Sequence, residues 1–451
     1  MSSAAAAPRR IAHEARATLQ LAWPVMLARA GILIMAMVDA AMIGRVSGEG
    51  LAYYGVAMAP FLFFLLTGIG LLIGTVVLVS QAKGEEDLAR CGVIWRLSLG
   101  AATLYALGVT LLLLPGETVL AALGQEPALA APAGEALRAL ALGLWPMLLF
   151  TATSLYLEGL ARPRPGMVVM LAANLVNAAL NALFLFGWWG LPEGGAAGAA
   201  LATSVTRWAM AATLIAYVFA LGVPVRAGAG LLHDARNQIA KLVRLGVPVA
   251  GANALESSAF TTMSLFAGWL GTLSAAAYVV CLNISALIYM LAIGIGTATA
   301  VRVGQAVGRR DPAAVPLAGW TGLGLGLAVM GAIAPLLLLF RAEVAGFYTG
   351  DAAVIALAVP ALTLVAPLLF VDAAQGILIG ALRGAGDVRL PLGIQVIAYL
   401  GVAIPLGYGL GFTAGLGIHG LIAGLLAGLG AAALMLAWRF VVLVRGPIRA
   451  V

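Results

Sequence analysis

The sequence predicts an all-α membrane protein with twelve transmembrane helices in two six-helix lobes related by a parallel repeat. Three observations predict it. Of the 451 residues, 63% are hydrophobic and only 10% are charged, with a mean hydropathy of +1.06; a soluble chain carries about 25% charge. The apolar runs are long and continuous, as a bilayer-spanning helix of about 20 residues requires, whereas a barrel would show short alternating segments. The second half of the chain also repeats the first.

Residues 1–17 read as a cytoplasmic tail, Ala-rich with Arg9, Arg10 and Arg16, and no cleavage-site pattern precedes the first apolar run. The N-lobe covers 18–221, with spans near 18–43, 52–80, 93–114, 135–158, 165–187 and 196–221. Residues 222–243 form the longest hydrophilic connection, a cytoplasmic linker. The C-lobe covers 244–443, with spans near 244–269, 275–304, 314–340, 354–381, 389–410 and 418–443, and 444–451 is a second cytoplasmic tail. Gly and Pro interrupt many spans, which lipid-buried helices tolerate.

The basic residues support this order. Twenty of the 25 Lys and Arg fall in segments on the side of the N-terminus, only Arg45 and Arg341 fall clearly on the other, and Arg29, Arg138 and Arg207 lie in or at the edges of spans. The bias puts both termini in the cytoplasm. The net charge of +7 is therefore a topology signal with an attraction to anionic lipid as its side effect; it is scattered among loops, which argues against nucleic acid as a partner.

The repeat is legible in three places. "LAWP" at 21–24 meets "LGVP" at 245–248, an offset of 224 that also carries "GLLIGTVVLVSQAKGEED" at 70–87 onto "GIGTATAVRVGQAVGRRD" at 294–311. Gly70, Thr75, Val77, Val79, Gln81, Ala82, Gly84 and Asp87 meet identical residues there. Further on, Trp145-Pro146 meets Ala366-Pro367 and "LEGLARPRPG" at 157–166 meets "LIGALRGAGD" at 378–387, at an offset of 221. Both copies begin on the same side, so the repeats are parallel, the architecture of many alternating-access transporters.

Of the 18 acids, three lie inside apolar runs: Asp39, Glu256 and Asp372. A charge at the bilayer centre costs about 2.5–3.5 kcal/mol on insertion scales, so such acids face the interior of the bundle and are functional candidates. At the offsets above Asp39 maps to Met263, Glu256 to Ile32 and Asp372 to Thr151; the fold is built twice without sharing its acids. Glu158, beside Arg162 and Arg164, reads as their ion-pair partner. Asn174, Asn177 and Asn181 share a helix face and either hold a small cation with a carboxylate or tie helix to helix. Asn253, Glu256, Ser257 and Phe260 share a face of the seventh span; Asp372 shares one with Leu368, Gln375, Gly376 and Ile379. Pro24 permits a bend below Asp39, as Pro248 does below Glu256. Aromatic and Met residues in the spans, Tyr289 among them, read mostly as packing or lipid contact and in part as the lining of an adaptable apolar cavity, and Trp188 and Trp189 as an interfacial belt. Cys91, in a charged loop, and Cys281, in an apolar run, read as free thiols.

"MVDAAMIGRVSGEGLAYYGVA" at 37–57, "ALRGAGDVRLP" at 381–391 and "NAALNALFLFGWWGLPEGGAAGAALAT" at 177–203 resemble signatures of the multidrug and toxic compound extrusion (MATE) family, NorM-like branch. The resemblance covers the whole chain. It implies export of organic cations and amphipathic drugs in exchange for sodium ions or protons, with no cofactor and no metal beyond sodium, by a chain acting as a monomer. Asp39 matches the family's first-helix acid, Asn177, Asn181 and Thr203 match polar groups of its N-lobe cation site, and Glu256 and Asp372 match the C-lobe acid pair. Other branches have an acid where Asn181 stands, and members of this branch can carry a polar aromatic where Leu368 stands. Two other readings remain. A flippase for lipid-linked saccharides would be expected to have a cationic cavity, and a membrane-embedded enzyme would need a nucleophile or metal set; His13, His233 and His419 lie outside the span interiors with no HExxH spacing.

Overall fold

The computed structural model describes residues 3–185, 187, 193–222, 230–448 and 450; Trp188, Trp189 and residues 223–229 of the linker lie outside them. Among the described residues the chain is nearly all helix and has no strand. In chain order the helices are α1 (Ser3–Val46), α2 (Gly48–Leu72), α3 (Gly74–Gly84), α4 (Leu88–Leu113), α5 (Gly116–Ala122), α6 (Pro127–Leu142), α7 (Leu144–Gly159), α8 (Arg164–Phe184) and α9 (Gly195–Ala220). They continue with α10 (Gly230–Trp269), α11 (Thr272–Gly308), α12 (Ala314–Leu339), α13 (Arg341–Tyr348), α14 (Ala352–Gly384), α15 (Arg389–Val396), α16 (Ile404–Tyr408) and α17 (Ile418–Arg445). Wide π-helical turns at Ile397–Ala403 and Gly409–Thr413 flank α16, where Pro405 removes a backbone donor.

Eleven helical stretches are long and apolar enough to cross a bilayer among the described residues. The expected seventh span lies within α10, which has the length but is not one of the eleven: Asn253, Glu256, Ser257, Ser258, Thr261, Thr262 and Ser264 lower its hydropathy. Leu104, Leu111 and Leu175 are 78%, 68% and 77% exposed, too apolar a surface for water and the natural one for lipid. Helix starts follow local chemistry. Ser47 Oγ accepts from Gly50 N at 3.1 Å to open α2, and Asp87 Oδ1 accepts from Arg90 N at 2.9 Å to open α4. Cys91 therefore sits in the first turn of α4 rather than in a loop; it and Cys281 are buried free thiols.

The helices form two compact units, Leu27–Ala250 and Met1–Met26 with Gly251–Val451. These differ from the lobes read in the sequence at the first helix of each half. Residues up to Met26 belong with the second unit, where Ala22 is in the hydrophobic core and Glu14 takes a two-pronged bond from Arg302, Nε at 2.7 Å and Nη2 at 2.6 Å. The start of α10 belongs with the first unit: a Cβ on Gly74 would stand 3.0 Å from the Leu242 carbonyl, and Gly246 abuts the Leu71 backbone. α1 runs unbroken through Pro24.

The repeat is visible in the backbone of the loops. Glu85, Glu86 and Asp87 donate to Gln81, Lys83 and Ala82 at 3.0, 3.1 and 3.0 Å, and Arg309, Arg310 and Asp311 donate to Gln305, Val307 and Ala306 at 3.0 Å each. Glu86 and Arg310 share a left-handed φ of 61° and 57°. The later match carries a correction. Ala161 N bonds Glu158 O at 2.8 Å and Arg162 N bonds Leu157 O at 2.8 Å; the same pattern recurs at Gly386 to Arg383, 2.8 Å, and Asp387 to Leu382, 2.9 Å. That register differs from the offset of 221 by four residues, about one helical turn, a slip that keeps apolar residues facing apolar residues. It pairs Asp372 with Met147 and Glu158 with Arg383. The acids remain unshared between the halves.

A seam of small residues fixes α14 against α11. A Cβ on Gly380 would strike the Gly296 carbonyl, one on Gly384 the Ala300 carbonyl, and one on Gly296 would lie 2.9 Å from the Gly376 carbonyl. Gly376, Gly380 and Gly384 are spaced by four, so one glycine stripe lets two backbones touch. Gly380→Val is expected to lower the thermal midpoint of the purified protein, an overpacking cost of about 1–3 kcal/mol. Gly331→Val, where nothing lies within 4 Å, should leave it in place; equal midpoints would show that the seam carries no packing constraint.

Candidate functional site

Each unit holds a polar centre around an intramembrane acid. In the first, Asp39 on α1 is buried and accepts three hydrogen bonds: from Asn181 Nδ2 on α8 at 2.6 Å, Thr203 Oγ1 on α9 at 2.7 Å and Tyr54 Oη on α2 at 3.2 Å. Asn177 Nδ2 donates to Thr203 Oγ1 at 3.2 Å, and Asn177 Oδ1 faces Asn181 Nδ2 at 3.4 Å. Four helices thus converge on one carboxylate. Arg207, one turn after Thr203 on α9, is buried, lies within electrostatic reach of Asp39 and Tyr54, and rests its guanidinium 4.9 Å from the centre of the Phe61 ring.

Asn174 does not join this centre. Its Nδ2 donates to Gly31 O at 3.1 Å and Met170 O at 2.9 Å, a tie between α8 and α1 at a point where a Cβ on Gly31 would meet Met170. Of the two readings open for the asparagine face, the helix tie applies to Asn174, and Asn177 and Asn181 gather at the carboxylate. Glu158 is a correction: its partner is Arg29, at 3.6 Å, with Ser154 Oγ donating at 3.1 Å, so the expected pairing with Arg162 and Arg164 gives way to an inter-helix pair.

In the second unit Asp372 on α14 is buried, and Glu256 on α10, half-buried, lies within electrostatic reach of it. Arg383, three turns along α14, is the cation nearest in effect to Glu256. Tyr289 on α11 lies within electrostatic reach of both acids and close to Gly376, and Gln375 Nε2 donates to Tyr399 Oη at 3.0 Å. Asp372 Oδ1 and Gln375 Oε1 are buried and meet no donor among the described residues. Asn253 and Ser257 flank Glu256 on α10, both half-buried. The repeat gives the centre a counterpart of reversed polarity. Arg29 and Glu158 pair in the first unit; one turn along α10 from the place equivalent to Arg29, Glu256 faces Arg383 in the place equivalent to Glu158.

The MatE family model matches residues 24–183 and 248–409. The two matches begin at Pro24 and Pro248, the offset of the internal repeat. The chain belongs to the MATE family. It is 37% identical over 411 residues to the probable multidrug resistance protein NorM of Caulobacter vibrioides, covering 90% of this chain and 86% of that one. It is 34% identical to the multidrug resistance protein NorM of Photobacterium profundum, covering 95% of each, and 33% identical to the multidrug resistance protein PmpM of Pseudomonas aeruginosa, covering 95% and 92%. The solved eukaryotic MATE transporter AtDTX14 superposes with a TM-score of 0.86 at 20% identity over 96% of each chain, so the fold is that of the MATE transporters.

Five residues at these centres escaped sequence reasoning: Tyr54, Arg207, Tyr289, Arg383 and Tyr399. Arg207 left a signal, since an arginine one turn after Thr203 in an apolar run has the cost of any buried charge. The tyrosines left none, because an aromatic in a span packs more often than it binds.

Proposed function

We propose that this MATE chain is a secondary antiporter of the inner membrane, both termini cytoplasmic, that exports cationic or amphipathic organic compounds by alternating access in exchange for sodium ions or protons. Family membership and the multidrug resistance relatives support the class. One observation of the chain itself carries the chemistry: Asp372 Oδ1 and Gln375 Oε1 are buried acceptors that meet no donor among the described residues, within electrostatic reach of Glu256. Two carboxylates and the Arg383 guanidinium leave one negative charge when the acids are ionised. A sodium ion, a proton or an organic cation supplies the missing positive charge, and because they share one deficit they compete. An anionic lipid-linked sugar would need the opposite polarity.

The test is efflux of a fluorescent organic cation from vesicles carrying the purified protein. An inward gradient of sodium at fixed pH, or of protons without sodium, should drive efflux at least about tenfold faster than no gradient, a modest demand for an ion coupling of 1–3 kcal/mol. Efflux indifferent to both gradients would overturn the antiporter reading.

A further inference from the structure

The two centres differ in charge. The second unit's is short of one positive charge, whereas in the first unit Asp39 already has a resident cation, Arg207. The polarity of the neighbours agrees. Among the described residues every group hydrogen-bonded to the Asp39 carboxylate is a donor: the Asn181 amide presents its Nδ2 while its Oδ1 meets no partner, and the hydroxyls of Thr203, which also reaches Ala199 O at 3.1 Å, and Tyr54 lie within hydrogen-bond reach of Asp39. A sodium site needs the reverse, several oxygens turned inward around an ion. The Phe61 ring face holds the guanidinium by its quadrupole, and Arg207 Nη1 meets no hydrogen-bond acceptor among the described residues, so the charge is placed by burial and the ring rather than by a direct ion pair.

We propose that Arg207 is a specificity-determining residue: it compensates Asp39 from within and closes the first unit's carboxylate to alkali cations, leaving sodium, where it couples, to Glu256 and Asp372. The proposal deepens the antiporter reading and rests on it for its meaning, but its test reads binding rather than transport. A sodium ion entering beside Asp39 meets a like charge in a poorly screened site. Neutralising Arg207 removes that repulsion and allows Asn181 to turn its free oxygen toward the ion.

The experiment measures saturable binding of radioactive sodium to the purified full-length chain carrying Glu256→Gln and Asp372→Asn, which removes the second centre. With Arg207 in place, no saturable site should be found. Adding Arg207→Gln should create one, and Asp39→Asn should abolish it again. Arg207→Lys, which keeps the charge, should behave as Arg207 does. Saturable sodium binding with Arg207 in place that disappears with Asp39→Asn would overturn the proposal, and this arm needs no change at Arg207. A folded Arg207→Gln protein, its thermal midpoint unchanged, that gains no site would also overturn it. A chain that binds as expected yet exports nothing fails the exporter reading alone.

Discussion

Asp372→Asn is expected to reach the membrane at the native level and to lose ion-driven export. Amide and acid have nearly the same volume, so the packing of α14 against α11 through Gly376, Gly380 and Gly384 is untouched. The charge is not. With Asn at 372, Glu256 and Arg383 cancel, and the centre has no deficit for an ion or a drug to fill. Ion-driven efflux from vesicles should fall at least about tenfold, or about 1.4 kcal/mol, roughly a third of what one unit charge contributes at about 4 Å in a site of intermediate dielectric. The measurement pairs the efflux rate with the amount of monodisperse protein extracted from membranes. Native export at native levels would remove Asp372 from the coupling. Low levels would show instead that the carboxyl ties helices together, the structural role open to any buried acid.

Composition and periodicity carried the fold because lipid leaves the backbone one choice: long apolar runs must close their hydrogen bonds within the helix. The three acids were legible for the same reason, since each is costly where it stands. Register was not. A helix presents similar faces after four residues, so "LEGLARPRPG" found a match at 378–387 one turn away from the register that the loop bonds of Ala161 and Gly386 reveal. Pairing between distant segments was equally hidden: Glu158 has two arginines within six residues, yet its partner is Arg29, because helix packing decides which cation arrives. The span within α10 sits at the limit of hydropathy reading, since the groups that dilute it surround Glu256.

The charge count makes its sharpest claim at Glu256, where a loss and a rescue can be read with one probe. The native protein should bind a fluorescent organic cation more weakly as sodium rises at fixed pH, or as pH falls without sodium, because ion and drug fill one deficit and their antagonism is reciprocal. Choline at equal ionic strength controls for screening, with its own competition as an organic cation measured separately. Glu256→Gln should flatten the response and weaken the dye by at least about tenfold, since Asp372 and Arg383 then cancel. Adding Arg383→Met to Glu256→Gln restores a single negative charge, on Asp372, and should restore dye binding, although two native side chains are now missing. A geometric role for Glu256, as one ligand in a fixed cage, predicts the opposite: the double variant would bind no better than the single. A response left intact in Glu256→Gln would move the antagonism out of the second unit altogether, to the Asp39 centre of the first, and would count against the role proposed for Arg207.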